Sequence, residues 1–199
     1  MTAWILSIAL AAALTGPSVS PLVVNELHNN YAVDGVIDSA YRIAAAKQNY
    51  TLILSRTGNF AQSSNSDERS ARLYATLFAE QGDEHMQVWL IQDRVDACPF
   101  DITAEFTQPA LSVSDADGDG EAEFWVGYRV SCRSDVSPAT LKLIGYEGAQ
   151  KYALRGSARL QLGDSSEGGE YVADAALQKA PALLEYASQL WMKVRDERF

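Results

Sequence analysis

A stretch of nine residues that begins at Phe124, FWVGYRVSC, shows a clear period of two. Apolar residues or a thiol occupy positions 124, 126, 128, 130 and 132, whereas Gly127, Arg129 and Ser131 fall on the other side together with Trp125. Successive side chains of a β-strand point to opposite faces of a sheet. The period of two therefore predicts a strand with one apolar face, and it places Cys132 on that face.

Several other segments are rich in aromatic and β-favouring residues and are bounded by turn residues, which is typical of an antiparallel meander. The segment 102–106 is predicted as a short edge strand before Pro109, and GDSSEGGE at 163–170 as a flexible turn. The EGAQ turn joins a predicted hairpin. The remaining predicted strands are 50–55, 71–79, 87–95, 141–146, 151–154 and 157–162.

Two segments show helical spacing instead. In the segment 33–47, apolar residues recur at positions 33, 36, 37, 40, 41 and 44. The C-terminal segment starts at Pro181, a residue suited to the first turn of a helix, and carries an apolar stripe through Leu183, Ala187, Leu190 and Val194. The predicted fold class is α+β, a single domain in which an antiparallel meander carries an N-terminal and a C-terminal helix.

The first twenty residues contain no charged side chain. An apolar run from Trp4 to Leu14, followed by Gly16 and Pro17, is typical of a signal peptide and is too short for a membrane span. We therefore expect a signal peptide at 1–20, a mature domain at 21–199 with no stable membrane anchor, and a periplasmic or secreted location. A buried N-terminal helix is the alternative.

The composition narrows the classes of partner. The chain has 26 acidic and 16 basic residues and a formal charge of −10. Such a balance argues against binding to nucleic acid, whose phosphates require a basic surface, and against docking on anionic lipid. It is compatible with cations, with basic partners or simply with solubility.

The segment DADGDGEAE, which starts at Asp115, carries a carboxylate at every second position and two intervening glycines. Alternate carboxylates on a tightly turning loop can surround a hard cation such as calcium, and Gly120 allows the sharp turn. The pattern matches the first half of an EF-hand loop, but Val126 stands where the EF-hand needs a bidentate glutamate. A solvated acidic turn is the alternative. The predicted calcium ligands are Asp115, Asp117, Asp119, Glu121 through its backbone carbonyl, and Glu123.

Signals for catalysis are weak. The two histidines, His28 and His85, come without a GxSxG motif, and the chain has no P-loop and no GxGxxG motif. The two cysteines, Cys98 and Cys132, indicate one disulfide in an exported chain, and two buried free thiols otherwise. No catalytic residue is predicted, and the tryptophans at 89, 125 and 191 are interpreted as core residues.

The segments VDACPFD, SDADGDGEAEFWVGYRVSCRSDVSPATLKLIGYEG and KYALRG, with a C-terminal helix that ends near LW, are similar to a family of bacterial secreted and cell-surface proteins. Some members are labelled as surface polysaccharide biosynthesis proteins, which implies an envelope role and no particular reaction. The resemblance matches Cys98 and Cys132 to the family's cysteine pair. It also matches the aspartates at 115, 117 and 119 to the family's acidic loop.

These observations predict an exported, non-enzymatic protein of the cell envelope that has a structural calcium site and binds a protein or glycan. Two alternatives belong to other classes. One is a periplasmic inhibitor or immunity protein directed against a toxin or a lysozyme-like enzyme, and the other is an envelope glycan hydrolase. An enzyme should show a deep pocket with perturbed carboxylates or a histidine, whereas a binding protein should show an open surface.

Overall fold

The computed structural model describes residues 16–27, 31–61 and 67–198, which form two antiparallel sheets, a small third sheet and one α-helix. The first sheet contains β1 (Ser18–Leu22), β2 (Val36–Ala44), β3 (Asn49–Arg56), β4 (Phe60–Ala61), β5 (Arg69–Gln81) and β6 (Glu84–Cys98). The second sheet contains β7 (Asp101–Ser114), β8 (Glu123–Arg133), β9 (Thr140–Glu147), β10 (Gln150–Ser157) and β13 (Tyr171–Ala173). The third sheet contains β11 (Arg159–Leu162), β12 (Ser165–Gly168) and β14 (Asp196–Glu197). The helical elements are α1 (Pro181–Val194) and 3-10 turns at Val24–Glu26 and Leu177–Lys179.

The two large sheets pack face to face around the main core. From the first sheet, β3, β5 and β6 contribute leucines, Trp89 and Ile91, and from the second sheet β8 contributes alternate residues. Phe124, Val126 and Tyr128 lie in this core, so the predicted apolar face of the strand is confirmed. Alternate residues of β8, from Phe124 to Val130, therefore lie between the two large sheets.

The other face of the second sheet is covered by α1, whose stripe from Leu183 to Val194 is buried as predicted. Trp125, fully buried, projects from β8 into this second core. Gly145 on β9 makes room for its ring, since a Cβ atom at Gly145 would lie 2.5 Å from the ring of Trp125. Strand β8 is therefore buried on both faces, between the main core and the core beneath α1.

The predicted N-terminal helix is wrong, because the segment 33–47 contains strand β2. Strand β2 pairs antiparallel with β1 and β3, and a register irregularity lies between Ile37 and Ser39. Ile43 faces the main core, whereas Ala40 packs on the opposite face of the sheet. Because the strand buries side chains on both faces and changes phase at the irregularity, its apolar residues recur at spacings that imitate a helix.

Two further boundaries differ from the sequence predictions. Strand β7 continues past Pro109 to Ser114, which is possible because β7 is an edge strand and proline there removes no ladder hydrogen bond. The predicted flexible turn at 163–170 contains β12, which pairs with β11. Of the predicted signal peptide, residues 1–15 lie outside the described residues, and β1 begins at Ser18. None of the helices that the structure describes is long and apolar enough to cross a membrane.

Candidate metal centre

The acidic segment forms the connection between β7, the edge strand of the second sheet, and its neighbour β8. Gly118 has a φ of 77° and Gly120 has a φ of 84°, values in the left-handed region that glycine adopts without a steric cost. A Cβ atom at either position would meet nothing within 4 Å. The backbone conformation therefore explains the two glycines, and the chain turns sharply where the sequence predicted.

Backbone amides of the loop donate hydrogen bonds to its own aspartates. The amide of Glu121 donates to Oδ1 of Asp119 at 2.7 Å, and the amide of Asp119 donates to Oδ1 of Asp117 at 3.3 Å. The amide of Gly120 donates to Oδ1 of Asp115 at 3.3 Å. These bonds hold the carboxylates close to the turn, where they offset part of the repulsion between them.

Two groups of three carboxylates result. One oxygen from each of Asp115, Asp117 and Glu123 lies within 4.8 Å of the others, and the same holds for Asp117, Asp119 and Glu147. Four of the five residues predicted as ligands are thus brought together. Asp117 belongs to both groups and connects them.

Glu147 was not predicted from the sequence. It is the last residue of β9 and lies directly opposite Glu123, the first residue of β8, in the antiparallel ladder. The signal that could have found it is this register, because the end of one antiparallel strand meets the start of its neighbour. In an antiparallel meander, the strand after β8 ends beside the start of β8, so that its last residue, Glu147, lies next to the acidic loop.

The Glu121 side chain is not part of either group. It forms an ion pair with Lys47, in the turn between β2 and β3. The hydrogen bond to Glu121 raises the pKa of Lys47. The prediction for Glu121 concerned only its backbone carbonyl, so its side chain is free to tie the loop to the first sheet.

Glu123 is fully buried, although it carries a carboxylate. Its Oε2 accepts a hydrogen bond from the hydroxyl of Ser114 at 2.5 Å, and both of its oxygens accept from the amide of Ala116, at 3.1 and 3.0 Å. Burial nevertheless raises the pKa of Glu123, and the charge of Asp117 adds to the shift. The ionised form is therefore disfavoured unless a positive charge accompanies it.

The ionised form of Glu147 is disfavoured in the same way as that of Glu123. Its Oε2 accepts a hydrogen bond from the hydroxyl of Tyr152 at 3.1 Å, while its Oε1 is buried and has no hydrogen-bond partner. Burial raises the pKa of Glu147, and the nearby aspartates at 117 and 119 raise it further. Burial together with Glu147 raises the pKa of Tyr152 to about 12. The loop thus concentrates negative charge, and within the described residues its one ion pair is that of Glu121 with Lys47.

Such a set of oxygen donors suits a hard cation. Carboxylate oxygens are the ligands that calcium prefers, and calcium accepts six to eight oxygens in an adaptable geometry. Zinc instead favours nitrogen and sulfur ligands. The acidic residues Asp115, Asp117 and Glu123 can therefore hold a metal ion through oxygen atoms.

The predicted disulfide is present between Cys98 and Cys132, whose Cα atoms lie 5.7 Å apart. It joins the end of β6 in the first sheet to the end of β8 in the second. Cys98 is buried, but Cys132 is exposed, in contrast to the sheltered position expected from its alternation. The apolar face of β8 is covered as far as Val130, and the strand emerges from the core beyond it.

The segment after Cys132, RSDVSP, is fixed by the end of the described chain. Arg133 donates to the carbonyl of Ser137 and forms a buried ion pair with Glu197 of β14. Oε2 of Glu197 also accepts from the amide of Ala139 at 3.0 Å. The hydroxyl of Ser137 donates to Asp135 at 2.6 Å. These contacts give the segment a structural role.

The other candidates from the sequence are part of the packing. The ring of His85 stacks on Tyr31 with ring centres 4.3 Å apart, and His28 lies outside the described residues. The tryptophans at 89, 125 and 191 are buried, as their interpretation as core residues requires.

No protein-family model matches the chain, and neither the curated proteins nor the solved structures include one with significant similarity to it. The function of the loop is therefore inferred from the chemistry of its own residues.

Proposed function

We propose that this chain is an exported protein of the cell envelope that holds one calcium ion in the loop between β7 and β8 and acts by binding a protein or glycan. The observation that carries the proposal is the pair of carboxylate groups joined by Asp117. Both groups include a glutamate whose pKa is raised by burial, Glu123 in one and Glu147 in the other. Calcium supplies the positive charge that these side chains lack.

The role of the ion is structural. The loop connects the edge strand β7 to its neighbour β8, and Glu147 brings the end of β9 to the same point. An ion bound there holds three strands of one sheet at their ends. Calcium among carboxylates does not activate a water molecule as zinc does, so the site stabilises the binding domain and performs no reaction.

The first experiment measures the melting temperature with added calcium and with a chelator. An ion that binds only the folded state adds about 2.7 kcal/mol of stability at a hundred times its dissociation constant. Replacing Asp117 and Asp119 together by Asn should remove most of this response, since two anionic ligands become neutral. A melting temperature that calcium does not change would refute the metal site.

Export and partner binding need separate measurements. Mass spectrometry of periplasmic or secreted material should show a mature chain that starts between about residues 17 and 23. Intact Met1 in the cytoplasm would contradict export. Pull-down of the mature protein from envelope extract, with and without calcium, should enrich a protein or glycan. Recovery of a toxin or a lysozyme-like enzyme would favour the inhibitor alternative instead, and turnover of a glycan would favour the hydrolase.

A further inference from the structure

An open cleft of about 850 Å³ lies where the first sheet, the edge strand β7 and the end of α1 meet. Residues of β2 and β3 form one wall, residues of β7 and β8 form the second, and the segment 193–198 forms the third. Its volume is within the range of about 300–1,000 Å³ that is usual for ligand sites. The basic side chains that line it are Arg56, Arg129, Lys193 and Arg198.

The cleft has a positive excess in a protein whose formal charge is −10. Its acidic lining residues are Asp38, Glu105 and Asp196, three against four basic residues. Asp196 is also neutralised by Arg159, outside the lining, whose Nε and Nη2 donate to its two oxygens at 2.7 and 2.9 Å. The surface of the cleft therefore attracts anions, unlike the molecule as a whole.

Arg129 lies at the base of the cleft and is only 7% exposed. Its Nη2 donates to the carbonyls of Val194 and Asp196 at 2.5 and 2.7 Å. Its Nη1 lies 3.6 Å from Oε1 of Glu105, too far for a good hydrogen bond, and its Nε has no partner. A buried guanidinium with unused donors is costly, and an anion in the cleft would reduce that cost.

Lys193 and Arg198 stand at the rim of the cleft. Both side chains are exposed, and neither forms an ion pair or a side-chain hydrogen bond with any residue in the described ranges. Arg56, by contrast, is paired with Asp38 at 3.0 Å. Two cations thus remain available for an anionic group of a ligand, above the buried charge of Arg129.

The remaining lining indicates the kind of anion. Asp38 and Glu105 can accept hydrogen bonds from hydroxyl groups, which the carboxylate side chains of an acidic peptide do not offer. The half-buried rings of Tyr41 and Phe106 offer aromatic surface beside them. A ligand that combines carboxylates, hydroxyl groups and flat ring faces can contact the basic, the acidic and the aromatic side chains of the cleft.

The geometry points to this cleft as the binding site for an acidic oligosaccharide, one whose sugar rings carry carboxylates. This inference rests on the proposed function in taking the glycan, of the two proposed partners, as the ligand. The carboxylates contact Lys193 and Arg198 at the rim, and the hydroxyl groups contact Asp38 and Glu105 on the walls. Arg129 is a positioning residue that holds the end of α1 and supplies positive potential from below.

The test is titration calorimetry of the whole mature protein at low salt. The probes are trigalacturonate, trimannuronate and a hyaluronan tetrasaccharide, with the methyl ester of trigalacturonate as a neutral match and hexaglutamate as an acidic peptide. We expect saturable binding of at least one acidic saccharide, at least tenfold weaker binding of the neutral ester to the protein that binds its acid, and weakening by salt. Stronger binding of hexaglutamate, or no saturable binding of any acidic saccharide, would overturn the inference.

The discriminating variant is Lys193→Gln/Arg198→Gln, which removes two exposed charges and leaves the buried residues intact. Loss of two surface ion pairs should weaken binding roughly tenfold. The matched control, Lys151→Gln/Lys179→Gln, has the same change in net charge outside the cleft and should bind within about twofold of the unmodified protein. An equal loss in both variants would assign the effect to net charge and refute the cleft.

Two controls keep this result separate from the proposed function. The calcium dependence of the melting temperature should be the same in both variants, because neither changes the acidic loop. If the cleft variant still enriches the same envelope partner in a pull-down, the proposed function stands and the cleft is excluded as its site. If enrichment is lost together with saccharide binding, both are supported.

Discussion

Asp117 is the side chain whose replacement tests the acidic loop most directly, because it belongs to both carboxylate groups. The substitution Asp117→Asn keeps the shape of the side chain. It also keeps an oxygen that can accept the hydrogen bond from the amide of Asp119. The change therefore removes one negative charge and little else.

The size of the effect follows from the distances. Asp117 has four acidic neighbours in the two groups, each with an oxygen within 4.8 Å. One such pair of charges repels by about 0.9 kcal/mol in water, and salt at physiological strength reduces this by roughly half. Because Asp117 is exposed, we expect a total of about 1–2 kcal/mol. In a chelator, Asp117→Asn should raise the free energy of unfolding by this amount. When calcium is added, the variant should lose most of the stabilisation that calcium gives the unmodified chain.

The assay is chemical denaturation followed by tryptophan fluorescence, in chelator and in calcium. Asp83→Asn, in the turn between β5 and β6, is the matched control, since it removes an exposed acidic charge that belongs to neither group. The control should shift both curves by the same small amount. If Asp117→Asn lowers stability in chelator, or keeps the full calcium response, the loop is an ordinary solvated turn.

Three further predictions concern the disulfide, the buried ion pair of Arg133 with Glu197, and the buried carboxylate of Glu123. Replacing Cys98 and Cys132 by Ala should lower the free energy of unfolding by about 4 kcal/mol, since the disulfide closes a loop of 34 residues, and an equally stable double variant in denaturant melts would contradict this. Glu197→Gln removes the charge that faces the buried Arg133 and should cost about 3 kcal/mol in the same assay. The combined change Arg133→Met/Glu197→Leu should lower the free energy of unfolding by less, because it leaves no unpaired buried charge. A larger decrease than that of Glu197→Gln would show that the unpaired charge of Arg133 is not the cause of the destabilisation. In chelator, the raised pKa of Glu123 means that its contribution to stability is complete below the ordinary value of 4.5 and is lost as the pH rises through the folded-state pKa. Stability measured from pH 4.5 to 7.5 should therefore fall less steeply in Glu123→Gln, and parallel curves would show that Glu123 is not responsible.

The sequence predicted best those elements whose pattern is local. The period of two in β8 and the apolar stripe of α1 each lie within a single element, and each faces the core as expected. The even number of cysteines, taken together with the expected export, predicted the disulfide that is present. The glycines at 118 and 120 identified the turn of the acidic loop, because a left-handed backbone selects glycine at these positions.

The parts that the sequence could not predict depend on contacts between elements. The helical spacing in β2 arises from a register irregularity and from burial on both faces, neither of which is visible within the segment itself. Glu147 joins the acidic loop only through the pairing of β8 with β9. The cleft gathers residues from β2, β3, β7 and β8 and from the segment 193–198, which are widely separated along the sequence. Long-range pairing is the common cause.

The two ends of β8 are held by different kinds of bond. Glu123, at its start, lies in the acidic loop, and Cys132, near its end, carries the disulfide to the first sheet. Nine residues of extended strand separate them by about 30 Å, too far for one clamp to replace the other. A reducing compartment opens the disulfide. With the calcium site proposed above, a calcium-poor compartment leaves the repulsion within the acidic loop uncompensated. Under the proposed function, a chain that passes from such a compartment to an oxidising, calcium-rich one gains both the disulfide and the bound ion, so that the two ends of β8 become fixed only there.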